Sequence, residues 1–350
     1  MRIVMKAVIL KNKGEMVYQD LEQPPVQAGH VLLQVKAASI CGSDISRFAK
    51  GHRMYPLVLG HEVAGIISAV GEGVSPDLIG KHAAIIPLVP CFHCEECQRG
   101  YYSACHSYSF IGSRQDGGFA DYAEIPERNA LIVPDDLPFE AAALIEPSTV
   151  ARHILDLGGF QAGQSAVVFG AGSIGLMVVQ WLRILKTSQI ICTDISETNL
   201  AIARKLGATV TLNPREVDVK EEVKKLAGDG VDIAIEAAGA PQALLQSIQV
   251  TRPRGSIVLG GNQPLDQSLP MTFIEDMMRK ELSLHGCFMS YSAPFPGHEW
   301  TDTVQAIRDG GLDIDTMISH HFPLSNAPTV FEQIAAHQLP HQKIILHPGG

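Results

Sequence analysis

Cys91, Cys94, Cys97 and Cys105, in the run CFHCEECQRGYYSAC, carry the spacing that lets four thiolates close around one tetrahedral metal ion. Two-residue intervals allow neighbouring sulfurs to turn toward a common centre, and four protein ligands leave no position for a substrate. The chemistry implied is that of a structural zinc site. A pair of disulfides is the competing reading, and it needs an oxidising compartment for which MRIVMKAVIL, lacking a small-residue cleavage site, offers no signal.

A second constellation lies upstream around Cys41 in ICGSD and His61-Glu62 in LGHEVAG, with Glu146 in LIEPS as a later candidate. A mixed thiolate, imidazole and carboxylate set with three protein ligands leaves a fourth position open to water or substrate, as a catalytic zinc requires. Each residue alone is more often a core cysteine or a satisfied polar group. The coexistence of an open and a closed set is what gives them meaning.

The third chemical signal is VVFGAGSIG, in which Gly170, Gly172 and Gly175 follow an apolar strand and open a helix through Ser173 and Ile174. In that setting the first glycine makes a tight turn, the second lets main chain approach a pyrophosphate, and the third lets helix and strand pack closely. The helix N-terminus offers N–H groups to phosphate. Asp194 ends the next strand, where a carboxylate accepts from ribose hydroxyls and repels a 2′-phosphate, so NAD is expected over NADP. Asp is also a competent helix cap, which is the alternative role for Asp194.

Two kinds of chain organisation must position these groups. MKAVIL, HVLLQVKAAS, EVAGIISAV, HAAIIPL and FADYAEI are short strands broken by Gly, Pro and Asp, which predicts an irregular, mostly antiparallel β domain. From about Gly163 apolar strands alternate with helices: SAVVFG, SIGLMVVQWLRILK, QIICTDI, SETNLAIARKLG, ATVTLN, VKEEVKKLAG, VDIAIEAAG, PQALLQSIQV, SIVLGG. That rhythm predicts a doubly wound parallel α/β sheet. TDTVQAIRDG reads as one amphipathic segment and KIILHP as a final strand, in a tail that could return to the first domain. The expected boundaries are 1–155, 156–287 and 288–350, the last a returning part of the first domain.

The 350 residues carry 27 Lys and Arg against 37 Asp and Glu, a formal net charge of −10 that argues against a nucleic-acid surface. No apolar run is long enough for a membrane span, so a cytoplasmic protein with a small-molecule partner is expected. Of the seven cysteines, Cys192 and Cys287 remain after the metal sets are assigned, and both read as core residues of strands.

The order Cys41-Gly-Ser-Asp, Gly60-His61-Glu62, four cysteines from 91 to 105, Glu146-Pro147 and the glycine turn resembles the zinc-dependent medium-chain dehydrogenases over essentially the whole chain, and their polyol branch in PLVPCFHCEECQRGYYSACHSYSFIGSRQDGGFADY and YSAPFPGHEW. The resemblance implies a split GroES-like catalytic domain, a Rossmann domain binding NAD inserted between its parts, two zinc ions per chain, and a homodimer or homotetramer built on the nicotinamide sheet. It implies Cys41, His61 and Glu146 as ligands of the catalytic zinc, with Glu62 beside them or ligating transiently. Ser43 matches the hydroxyl that contacts the reacting alcohol. Ser46 stands where sorbitol dehydrogenases usually carry a relay histidine. A phosphorylated polyol would need cations, for which Arg47 and Arg114 are the candidates, and His298 and Trp300 are candidates for a pocket wall.

Overall fold

The computed structural model describes residues 3–262 and 268–349, in two compact units. The first takes residues up to Glu146 together with Ser292–Val304 and everything from Met317 onward; the second takes Pro147–Tyr291 and Gln305–Thr316.

The first unit is built on a seven-stranded sheet. Its strands run in the order Ala130–Ile132, His82–Ile85, Glu62–Val70, His30–Ser39, Lys343–His347, Ile318–Pro323, and Tyr122–Pro126 also pairs with His30–Ser39. The central strand HVLLQVKAAS is buried along most of its length, as its near-continuous apolar sequence requires. The tail returns into this sheet: Lys343–His347 pairs antiparallel with His30–Ser39, setting Ile345 opposite Ser39, while Ser39 on its other side faces Glu62. A separate three-stranded sheet contains the hairpin of Val4–Asn12 with Glu15–Glu22. The second of these strands, EMVYQDLE, was not anticipated from the sequence, because four of its eight residues are Glu, Gln or Asp and only Met16 is fully buried. Phe48, Phe119 and Phe331 meet edge to face in the core, with centroids 5.6 and 6.0 Å apart.

In the second unit six strands form one sheet in the order Val210–Leu212, Gln189–Thr193, Ser165–Phe169, Val231–Glu236, Thr251–Leu259, Ser283–Gly286, every pairing parallel. The chain starts in the middle, winds outward to one edge and then to the other, which is the doubly wound Rossmann order. Helices Ser173–Ile184, Glu197–Leu206, Val219–Ala227, Pro241–Val250 and Thr272–Lys280 follow the strands. Their ends obey local chemistry: Asp218 caps a helix by accepting from the N–H groups of Lys220 and Glu221, and Gly207 ends another at φ 123°.

Two expectations change here. The tail is divided instead of returning whole: residues 305–316 belong to the second unit, where the Gly311 carbonyl accepts from Arg183 Nη2 at 2.6 Å and the Asp313 N–H donates to Gln180 Oε1 at 2.6 Å. Cys192 is a core strand residue, fully buried, but Cys287 is only half-buried and lies just past the last strand of the sheet. Among the described residues no helix is long and apolar enough to cross a membrane.

Candidate metal centres and cofactor site

Cys41 ends the strand-to-helix turn before Gly42–Lys50 as its N-cap, held there by Asp44 Oδ2, which accepts the Cys41 N–H at 3.2 Å. His61 is aimed by the preceding Gly60, whose φ of 95° and contact with Phe119, only 2.5 Å from where a Cβ would lie, exclude a side chain. Glu62 opens the next strand and is fully buried. Donor atoms of Cys41, His61 and Glu62 lie within 4.8 Å of one another. Glu146, in the first turn of the helix Ile145–Leu157, is half-buried and within electrostatic reach of His61 and Glu62.

Two further residues shape this cluster and were not singled out from the sequence. Asp44 Oδ1 stands 3.5 Å from His61 Nδ1, an ion-pair distance too long for a good hydrogen bond, and this leaves Nε2 as the nitrogen free to ligate. Lys343, buried, places its Nζ 2.5 and 2.7 Å from the two oxygens of Glu62. Register explains the latter pair: Glu62 and Ile345 flank the same Ser39, and Lys343 lies two residues back along its strand. ICGSD contained a signal for Asp44, since an acid three residues into a helix can bond its N-cap. No local signal pointed to Lys343.

The electrostatics of the cluster call for positive charge. Burial opposes charge on His61, yet Asp44 and Cys41 outweigh it and hold the imidazole well above its ordinary pKa. Burial pushes the Glu146 carboxyl up to about 7, with His61 opposing the rise and Glu62 adding to it. Burial likewise opposes charge on Lys343, and Glu62 overcomes it and raises its pKa. A thiol, an imidazole and the buried Glu62 carboxylate converge, with Glu146 within electrostatic reach, and a divalent ion would balance the charges that now draw protons.

Ser43 lies beside the cluster, its Oγ 3.4 Å from Cys41 Sγ and accepting from Arg47 Nη1 at 2.8 Å. Arg47 also meets Asp44 at 3.1 Å, so of the two arginines it is the one joined to the cluster. Arg114 instead donates to the Tyr108 carbonyl at 2.7 Å and stacks over that ring at 3.6 Å. Ser46 points to a different place, a groove of about 600 Å³ lined also by Lys50, His337 and His341. Exposed His298 is 3.4 Å from Ser292 Oγ, and Trp300 is fully buried.

The four cysteines converge as their spacing predicts, with donor atoms within 4.8 Å and Cys91 Sγ to Cys97 Sγ at 4.0 Å. That separation is far beyond a disulfide bond and close to the roughly 3.8 Å between sulfurs about 2.3 Å from a tetrahedral centre. Main-chain N–H groups of Cys91 and Cys94 point at Cys105 Sγ and Cys91 Sγ, each at 3.3 Å. The N–H of His93, before other groups, draws the Cys91 thiol down to about 5, while burial pushes Cys97 up to about 12. The lobe is clamped by aromatic contacts: Phe295, from the returning chain, meets Phe92 at 5.2 Å and Tyr102 at 5.3 Å.

In the second unit, the turn after Ser165–Phe169 has the geometry that the glycines predicted. Gly170 adopts φ 95°, and a Cβ on Gly175 would lie 1.8 Å from the Gly170 carbonyl. Gly172 caps the helix that Ser173 and Ile174 begin. Asp194 is fixed by two main-chain donors, Ala171 N–H at 2.7 Å and Ser196 N–H at 2.8 Å. The helix cap at this turn is Ser196, which accepts from Asn199 N–H. Gly170, Gly172 and Asp194 line a cavity of about 610 Å³ whose described lining contains no Lys or Arg.

Comparison with known proteins identifies the family. Residues 27–135 match the alcohol dehydrogenase GroES-like domain and residues 173–308 the zinc-binding dehydrogenase domain. The chain is 34% identical to galactitol 1-phosphate 5-dehydrogenase of Escherichia coli K12, over 98% of this chain and 100% of that one. It is 32% identical to sorbitol dehydrogenase of Bacillus subtilis 168, over 98% and 97%. The crystal structure of the E. coli galactitol-1-phosphate dehydrogenase superposes with a TM-score of 0.93, covering 98% of this chain and 100% of that one. A Sinorhizobium meliloti 1021 zinc-binding dehydrogenase structure bound to NADP, 30% identical over 99% and 100%, gives 0.91. With a GroES-like unit carrying two sets of metal donors and a Rossmann unit carrying the glycine turn, the chain belongs to the zinc-binding alcohol dehydrogenase family and is an oxidoreductase.

Proposed function

We propose that the protein oxidises a secondary hydroxyl of a polyol phosphate with NAD, most closely galactitol 1-phosphate to tagatose 6-phosphate, and holds two zinc ions per chain. The observation that carries the reading is the convergence of Cys41, His61 and Glu62 beside Ser43 in a chain similar to the galactitol enzyme over 98% of its length.

In this reading Cys41, His61 and Glu146 hold the catalytic ion and Cys91, Cys94, Cys97 and Cys105 the structural one. A bound zinc would supply Lewis acidity for an alcohol oxygen, and a bound nicotinamide would supply the hydride acceptor. Asp44 lies on the Nδ1 side of the His61 ring and would favour ligation through Nε2. Lys343 neutralises Glu62, which keeps that carboxylate beside the site without adding its full charge to it. Ser43 Oγ would accept the hydroxyl proton as it passes its own on to solvent. Arg47 donates to Ser43 Oγ and has no lone pair to take that proton, so its part is that of a cation beside the cluster for a phosphate.

Sorbitol dehydrogenase is also a relative, so an unphosphorylated polyol is the second reading. NADH formation by the zinc-replete protein decides between them, using galactitol, sorbitol and L-iditol, their 1-phosphates, arabinitol phosphates and L-threonine. Preference for galactitol 1-phosphate supports the proposal. Turnover of free polyols alone rejects the phosphate and keeps the zinc chemistry, and silence with two zincs bound rejects the polyol reading.

The fixed Asp194, and a cavity lining that among the described residues holds no cation for a 2′-phosphate, support NAD over NADP. Asp194→Ala is expected to raise the NADP to NAD ratio of kcat/KM by about tenfold, the equivalent of relieving roughly 1.4 kcal/mol of repulsion. An unchanged ratio would place the discrimination elsewhere.

We also propose a homodimer through the free edge of the parallel sheet. The edge strand Ser283–Gly286 exposes Leu284, and Met271, Met278 and Phe288 are 79, 73 and 69% exposed. An unprotected edge with such apolar neighbours is a pairing surface. Leu284→Asp with Phe288→Asp is expected to convert a dimer to a monomer in light scattering, and a species of unchanged mass would exclude this face.

A further inference from the structure

Away from both sets of metal donors described above, the first unit brings together a third. We propose that His321, His347 and Glu140 form a binding site for a divalent first-row transition ion, independent of the reading of the catalytic reaction.

The sheet register creates the pair of imidazoles. Ile318–Pro323 is the edge strand and runs parallel to Lys343–His347, with His321 opposite Ile345 and Pro323 opposite His347. His321 and His347 are thus diagonal neighbours on one face, within reach of long side chains. Their rings stack at 18° with centroids 5.3 Å apart, and His321 Nδ1 stands 3.0 Å from His347 Nε2. Glu140, from the helix Phe139–Ala143, places Oε1 4.0 Å from His347 Nδ1. Donor atoms of all three lie within 4.8 Å of one another.

Two nitrogens about 2.1 Å from one ion and at right angles around it are roughly 3.0 Å apart, so the imidazole pair already has the spacing of two adjacent ligands. Without an ion the same separation suits one N–H···N hydrogen bond between neutral rings, which holds the donors together at no cost in added charge. Imidazole suits zinc, copper and nickel, and two histidines with one carboxylate leave the remaining positions to water. His321 is exposed and the side chains of His347 and Glu140 are 34 and 35% exposed, which gives an ion direct access and favours exchangeable binding over permanent occupation.

His320 supplies the internal control. It lies on the opposite face of the same strand, stacked on Phe322 with centroids 5.9 Å apart and bonded to Ser319 Oγ at 2.9 Å. The experiment is calorimetric titration of untagged, zinc-replete protein with Ni2+. Wild type and His320→Ala are expected to take up one equivalent in the micromolar range, Glu140→Gln to bind about tenfold more weakly, and His321→Ala and His347→Ala to lose that equivalent at an unchanged Tm. The zinc content should be the same in every variant. Equal Ni2+ uptake by wild type and the His321→Ala, His347→Ala double variant would overturn the proposal, as would no uptake by wild type or loss of uptake in His320→Ala.

Discussion

Replacing Cys41 by alanine is expected to lower kcat by about a thousandfold or more while the Tm stays within a few degrees of wild type. Lewis-acid polarisation contributes several kcal/mol to such a reaction, and about 4 kcal/mol corresponds to three decades in rate. Removing Sγ takes away the thiolate ligand and its charge, leaving His61 with Asp44 but without its second negative neighbour. The fold has little reason to respond. Cys41 is half-buried, and of the two reciprocal contacts at this helix start alanine loses the weak one, from the Asp44 main-chain N–H to Sγ, and keeps the one from the Cys41 main-chain N–H to the Asp44 carboxylate. Zinc per chain should fall from about two to about one with the far-UV circular dichroism unchanged. A variant that keeps both turnover and two zincs would remove Cys41 from the site.

The contrast between what was and was not legible beforehand follows from how local each contact is. The four cysteines span fifteen consecutive positions, and the glycine turn is read by steric demands within one strand-helix corner, so both could be recognised and both have the expected geometry. Strands and helices of the parallel sheet were equally clear, since each is a single apolar run with its own cap. Lys343 was not legible: it is 281 positions from Glu62, and only the insertion of the last strand beside His30–Ser39 joins them. Asp44 sat in a motif already in view, but its second role needs a ring seventeen residues away in sequence. Arg114 and Trp300 show the same limit from the other side: the Tyr108 ring and carbonyl that hold the first, and the complete burial of the second, are not written in the local sequence.

Cys97→Ser should do to stability what Cys41→Ala does to turnover. The lobe from Cys91 to Cys105 contains only a four-residue helix, a single 3₁₀ turn and a few aromatic contacts, too little apolar burial to hold four sulfurs together unaided. The sulfurs are unequal: Cys91 is drawn toward thiolate by main-chain donors, whereas burial pushes the Cys97 thiol up to about 12, so a thiolate there depends on a metal ion to balance its charge. Structural zinc sites bind with about 10–16 kcal/mol, and losing one ligand of four removes on the order of 3 kcal/mol. In a unit of this size that corresponds to a fall in Tm of about 6–12 °C. Because Phe295 packs against Phe92 and Tyr102, the loosening should spread to the returning segment, and proteolysis should become faster near both stretches. Scanning calorimetry with zinc analysis checks the outcome: the variant should melt lower and hold one zinc fewer, with residual turnover at low temperature. A Cys97→Ser protein with wild-type Tm and two zincs would show that the cluster does not hold the lobe.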